Sequence, residues 1–134
     1  MSFKFINPAS LGPPRGYSNG VVAEPGGSLL FIAGQIGWTE QQKIVSPDIV
    51  EQFDRALANL LSVVDQAGGA PERIARLVIY VTDKKEYQAR MSEIGERYRE
   101  RMGKHFPAMA LVEVKALLDD EAKVEIEGIA VLNH

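Results

Sequence analysis

Three glutamates near the C-terminus are the residues of this chain best suited to chemistry. Glu113 lies in the run Phe106-Pro107-Ala108-Met109-Ala110-Leu111-Val112-Glu113-Val114. Glu125 and Glu127 lie two apart in Val124-Glu125-Ile126-Glu127-Gly128-Ile129-Ala130-Val131. Both runs have the composition of β-strands, and a strand turns successive side chains to opposite faces. Val124, Ile126, Gly128 and Ala130 then share one face, and Glu125, Glu127, Ile129 and Val131 share the other. The second face is neither clean core nor clean solvent surface, and it suits a cleft or a subunit interface. A carboxylate that is desolvated or crowded by a like charge can give or take a proton near neutral pH. The same carboxylates could instead pair with Arg or Lys of a neighbouring subunit, because structural ion pairs perturb carboxylates as readily as catalysis does.

Two glycine-containing segments are further candidates. In Arg15-Gly16-Tyr17-Ser18-Asn19-Gly20, a tyrosine bracketed by glycines could hold a phenol at a pocket mouth, or simply pack in a turn. In Ala33-Gly34-Gln35-Ile36-Gly37-Trp38, Gly34 inside a strand permits close approach of backbone or ligand, or marks a bulge. Other chemistries lack their residues. The chain has no cysteine, which removes disulfides, thiolate nucleophiles and thiolate metal ligands. His105 and His134 are far apart and form no metal-binding pair, so no metal site is expected. Neither a Gly-x-Ser-x-Gly elbow nor a phosphate loop is present.

The elements that position these residues follow from periodicity and punctuation. The Pro- and Gly-rich stretch 8–20 is expected to be a loop, and 20–24 a short strand. A turn at Pro25-Gly26-Gly27 should join it as a hairpin to a strong strand at 29–36. Residues 45–46 suggest another short strand. Ser46 is positioned to cap a helix with Pro47 in its first turn. Ile49, Phe53, Leu57, Leu60, Leu61 and Val64 recur at helical spacing over 48–67, and Gly68-Gly69 ends the helix. A strand at 73–82 follows, then a helix at 84–102 with Tyr87, Met91, Ile94, Tyr98 and Met102 facing inward. Strands at 108–117 and 123–132 end the chain, and are expected to lie side by side with Glu113, Glu125 and Glu127 near one another.

The order is β-β-β-α-β-α-β-β, an α+β pattern. Two amphipathic helices cover one face of such a sheet, yet several strands are apolar on both faces. The uncovered face is expected to be buried in a homo-oligomer, since large exposed apolar patches mark association.

Composition bounds the rest. The chain's 134 residues, 46% hydrophobic and 25% charged, are expected to form one globular domain over 1–134. A net charge of −3 gives no general attraction to a phosphate backbone, and no aromatic-plus-basic nucleic-acid motif occurs. Arg90, Arg97, Arg99 and Arg101 alternate with Glu86, Glu93, Glu96 and Glu100 as on a solvated helix face. No apolar run approaches the roughly 20 residues that span a bilayer, and residues 1–8 lack a signal-peptide pattern, so no membrane partner and a cytoplasmic location are expected.

Taken together these segments resemble the RidA (YjgF-type) family of reactive-intermediate deaminases. Gly16-Tyr17-Ser18 resembles its N-terminal Tyr motif, and Ile32-Ala33-Gly34-Gln35-Ile36 its Ser-Gly-Gln-Ile strand. Asn59-Leu60-Leu61 with Ala67-Gly68-Gly69 resembles its first helix, and Leu77-Val78-Ile79-Tyr80-Val81-Thr82-Asp83 the next strand. The two C-terminal runs resemble its last strands. The resemblance implies a chorismate-mutase-like fold and a homotrimer with a central barrel, helices outside and clefts between subunits. It also implies cofactor-free hydrolysis of enamines and imines such as 2-aminoacrylate, by protonation of the enamine carbon and attack of water on the imine. Carried over, Glu125 would orient the water or move protons, Tyr17 would line the pocket, and the Gly34 backbone would approach the substrate. One departure bears on substrate. Active members follow Phe-Pro-Ala with an Arg that grips the substrate carboxylate. Here Met109 stands in that position, followed by Ala110, and Ala33 replaces the Ser before Gly34. A more apolar pocket and a substrate other than 2-aminoacrylate are implied, with Arg15 a possible replacement guanidinium. A non-catalytic small-molecule-binding trimer, and more remotely RNA binding or cleavage, are the alternatives.

Overall fold

A computed structural model describes residues 3–24 and 26–133. Among these residues six strands and three α-helices form in the order β1 (Lys4–Ile6), β2 (Gly20–Val22), β3 (Ser28–Ile36), α1 (Ile49–Gln66), β4 (Ile74–Val81), α2 (Lys84–Ala89), α3 (Met91–Met102), β5 (Ala108–Glu113) and β6 (Val124–Leu132). The main sheet runs β3-β6-β4-β5, with β4 and β5 parallel and the other pairs antiparallel. The helices lie on one face of it. Phe53, Leu57, Leu60 and Val64 of α1 and Ile94, Tyr98 and Met102 of α3 meet Leu77, Ile79 and Val81 of β4 and Val124, Ile126 and Ala130 of β6. The even-numbered positions of β6 are therefore core, as the alternation predicts. Among the described residues no helix is long and apolar enough to cross a membrane.

The other sheet face stays open. Residues paired across a ladder share a face. Phe31, Ile129, Arg76 and Ala108 form one such row, and Glu127, Val78 and Ala110 another. Phe31 is 70% exposed and Leu29 61%, an expensive arrangement for a free surface.

Several expectations are corrected. The expected string β-β-β-α-β-α-β-β becomes β-β-β-α-β-α-α-β-β, and its strands have different members: β1 enters it, and 45–46 leaves, where only Ile44 forms an isolated bridge to Trp38. The hairpin between 20–24 and 29–36 does not form. β2 pairs with β1, whereas β3 gains a longer and more apolar partner in β6. Of the turn expected there, Pro25 lies outside the described residues, as does His134. Asp48, rather than Ser46, caps α1 by accepting from the Glu51 amide, while Ser46 Oγ accepts from the Asp48 amide. The helix expected over 84–102 breaks at Arg90, whose guanidinium spans Asp48 and Glu93. The break leaves Met91 exposed instead of inward-facing. Finally, β5 stops at Glu113 and is separated from β6 by β4, so Glu113 is not beside Glu125. Its carboxylate accepts from the Lys84 amide at the start of α2, a structural role.

Candidate active site

Glu125 projects from the second position of β6, across from Ile36 on one side and Tyr80 on the other. The regular β3–β6 register is interrupted between Ile32 and Gln35, and Gly34 sits in that irregularity. A side chain at 34 could not be accommodated as the site stands. A Cβ there would lie 2.7 Å from both the carboxyl carbon and Oε2 of Glu125. The glycine thus lets the backbone of β3 lie directly against the carboxylate. Both residues line a cavity of about 480 Å³, with Gln35, Ile36, Trp38 and the loop residues Leu118 and Asp119.

Helix α1 fixes the walls of this cavity through two polar side chains one heptad apart. Gln52 is fully buried. Its Nε2 donates to the carbonyls of Ser46 and Glu121, and its Oε1 accepts from the Lys123 amide, which sets the start of β6. Asn59 Nδ2 donates to the carbonyls of Ile36 and Trp38, which sets the end of β3. Gly37 allows close helix packing there, since a Cβ would lie 2.6 Å from the Gln52 carbonyl oxygen. Beside Glu125, the Tyr80 hydroxyl donates to Glu127. That hydrogen bond, reinforced by the charges of Glu127 and Glu125, holds the Tyr80 phenol above its ordinary range.

The remaining sequence candidates gather at the opposite edge of the sheet. The segment around Ser18 runs beside the start of β5: Ser18 bridges Ala108, its amide donates to the Pro107 carbonyl, and its Oγ donates to the Phe106 carbonyl. Tyr17 is partly exposed in a shallow groove with Phe5, Gly16, Lys104 and Phe106. Arg15 and Met109 line a second cavity of about 250 Å³ under α2 and α3. Met109 pairs in register with Leu77 and faces the helices. Ala110 faces the open side, in register with Val78 and, beyond it, Glu127.

The chain therefore joins Gly34 to Glu125 and Arg15 to Met109, and keeps the two pairs apart. Three strand spacings of about 4.8 Å and an offset of about four residues along the strands put roughly 20 Å between Glu125 and the Ser18 segment. The sequence patterns gave no site role to Gln52, Asn59, Leu118 or Asp119 at the first cavity, nor to Tyr87 and Arg99 at the second. Spacing on α1 places Gln52 and Asn59 on its apolar face, the one signal available. His105 is structural: it is buried, its Nε2 bonds to the Ile74 carbonyl, and its ring packs against Phe3 and Phe5. Among the described residues no group of acidic, His or Cys side chains could hold a metal ion.

Comparison with known proteins adds the family. The family model described as Endoribonuclease L-PSP matches residues 8–132. A RutC family protein of Pyrococcus abyssi is 33% identical over 124 residues, covering 92% of this chain and 89% of its own. A protein of Salmonella typhimurium named 2-iminobutanoate/2-iminopropanoate deaminase is 32% identical over 124 residues, covering 92% of this chain and 91% of its own. Among solved structures, a Rid-family protein of Yersinia pestis, YyfB, superposes with a TM-score of 0.87 at 32% identity, covering 98% of this chain and all of that one. TdcF of Escherichia coli, solved with bound serine, gives 0.67 at 30% identity over 90% of this chain and 88% of its own. With its chorismate-mutase-like α+β fold, the chain belongs to the RidA (YjgF-type) family.

Proposed function

We propose that this protein hydrolyses enamine or imine intermediates to a carbonyl product and ammonia, without a cofactor, in a cleft completed by a second copy of itself. The observation that carries this reading is the Glu125 carboxylate lodged against the Gly34 backbone in an open cavity, at the edge opposite Tyr17 and Met109. One chain cannot bring the two groups together. A head-to-tail ring can, because such an interface joins different surfaces of neighbouring subunits. The exposed apolar sheet face supplies a surface for that association, and a homotrimer around a central barrel is the closed ring we propose.

In this cleft Glu125 carries the proton transfers. The enamine carbon takes a proton and becomes an iminium. Water, oriented by the carboxylate, adds its oxygen to the iminium carbon and gives up a proton. The resulting carbinolamine expels ammonia as the C–N bond breaks and the carbonyl forms. A positioned acid–base group is worth about 10²–10⁴-fold in rate. One relative's name supports the reaction class, that of the deaminase of 2-iminobutanoate and 2-iminopropanoate. Met109 and Ala110 support a substrate different from 2-aminoacrylate, because a thioether offers no fork to a carboxylate.

The test is ammonia release from enamines generated in the assay by amino-acid dehydratases or oxidases, over a panel of side chains. Acceleration over buffer, lost in Glu125→Gln, is expected. Turnover unchanged in Glu125→Gln removes the role given to that residue. Binding of the panel without turnover by the wild type would establish instead the small-molecule-binding trimer that the apolar residues at 109 and 110 also favour.

A further inference from the structure

The Arg15–Met109 cavity has an unusual charge arrangement. Its walls are apolar and aromatic, including Phe53, Tyr87, Tyr98, Phe106 and Met109. Two arginines, Arg15 and Arg99, line it as well, and no Asp or Glu does. On the neighbouring helical surface the arginines are neutralised: Arg90 by Asp48 and Glu93, and Arg97 and Arg101 by Asp54. Arg99 and Arg15 have no carboxylate partner among the described residues. Arg99 is also placed by a glycine in the middle of α3. Its Nη1 lies 3.1 Å from where a Gly95 Cβ would be, so the guanidinium folds back along the helix over residue 95, which lines the same cavity. A mid-helix glycine otherwise weakens a helix relative to alanine. Burial pushes the Tyr87 phenol up to about 12, so this wall stays uncharged over the physiological range.

We infer that Arg15 and Arg99 together hold the carboxylate of the substrate in place of the guanidinium absent at position 109, and that the space over Met109 takes a bulky apolar side chain. This rests on the reading of the protein as an enamine or imine hydrolase, and it names that substrate class: 2-enamino or 2-imino acids with side chains of leucine or phenylalanine size, rather than three-carbon acids. Apolar walls reward each added methylene, and unpaired guanidinium groups at the rim reward a single carboxylate. A cavity of about 250 Å³ is at the small end for a ligand site in one chain, consistent with a site that a second copy completes.

The stable 2-oxoacid products serve as probes. Calorimetry would compare 4-methyl-2-oxopentanoate, its neutral amide and pyruvate on the wild type, Arg15→Ala, Arg99→Ala, the double variant and Met109→Arg. The wild type should bind the branched acid at least about tenfold more tightly than pyruvate or the amide, and each single Arg variant should lose about tenfold. Met109→Arg should shift preference towards pyruvate. Both arginines are exposed, so thermal melts should confirm that their variants fold. Equal binding of pyruvate and the branched acid, or unchanged affinity in the double variant, overturns the inference. Binding is read without turnover, which separates the two ideas. A wild type that binds as expected but releases no ammonia removes the hydrolase reading alone. One that turns over, with the double variant binding equally well, removes this inference alone.

Discussion

At the scale of single residues, the contact between Gly34 and Glu125 is the most constrained feature of the candidate site. Even one methyl group at 34 would lie 2.7 Å from the carboxylate and force it to move. Gly34 is exposed and outside the core, so Gly34→Ala should leave the melting temperature nearly unchanged while displacing the carboxylate. Misplacement by about 1 Å can cost on the order of 10²-fold in rate, and that is the drop expected in kcat. Full activity in a folded Gly34→Ala protein would mean that the carboxylate position is immaterial. The alternation in 124–131 was enough to put Glu125 and Glu127 on the face opposite the core. It could not show that Gly34, ninety-one residues earlier, closes on Glu125, since that depends on the β3–β6 register and its irregularity. Glu113 looked equivalent to the other two in sequence, and differs because β4 intervenes and the α2 N-terminus takes its carboxylate.

At the scale of elements, α1 is the ruler of the site. Gln52→Leu should fit the same space but strand the Ser46 and Glu121 carbonyls and the Lys123 amide. The three bonds are part-buried, so each lost bond costs about 1 kcal/mol, the low end for an unpaired group, and chemical denaturation should show a loss of roughly 2–4 kcal/mol. A loss within 0.5 kcal/mol would mean that water replaces the glutamine, about the spread of an ordinary surface substitution. The packing of α1 against α3 has an electrostatic component. The hydrogen bond from Arg101, opposed by burial and helped by Arg97, holds the Asp54 carboxyl below its usual range. A carboxylate depressed by folding stabilises above its unfolded value of about 3.9 and loses that contribution as pH falls through the folded value. Asp54→Asn should therefore be less stable than wild type by at most about 1 kcal/mol at neutral pH, with the two converging on acidification below about pH 4. A gap that persists at pH 2 would point to packing instead.

Elements with long, regular patterns were legible from sequence: α1 through its apolar stripe, β4 and β6 through alternation. Three were not. β1 is three residues long and carries no pattern of its own. The α2–α3 break answers to an ion pair between Arg90 and Asp48, forty-two residues apart. The partner of β2 was decided by competition, because β6 offers β3 a longer apolar ladder than a hairpin could.

At the scale of the whole molecule, the open sheet face and the separation of the two residue groups call for the same solution. Phe31 and Leu29 on that face are exposed in the single chain, and in the proposed cleft a neighbour brings the Glu125 and Tyr17 edges together. Phe31→Lys should convert the proposed trimer to monomers in sedimentation and abolish turnover together with it. A monomeric wild type that is fully active would contradict the shared cleft. Whether Glu125 acts across a subunit boundary on an enamine or imine is decided by one complementation assay. Glu125→Gln and Tyr17→Ala proteins are assayed for ammonia release separately, and again after denaturation and refolding as an equal mixture. Each alone should be nearly inactive, while the mixture should recover roughly a quarter of wild-type activity, because random assembly in a ring restores both halves at one cleft in four. A mixture no more active than the average of its two components would mean that Glu125 and Tyr17 of different subunits share no cleft.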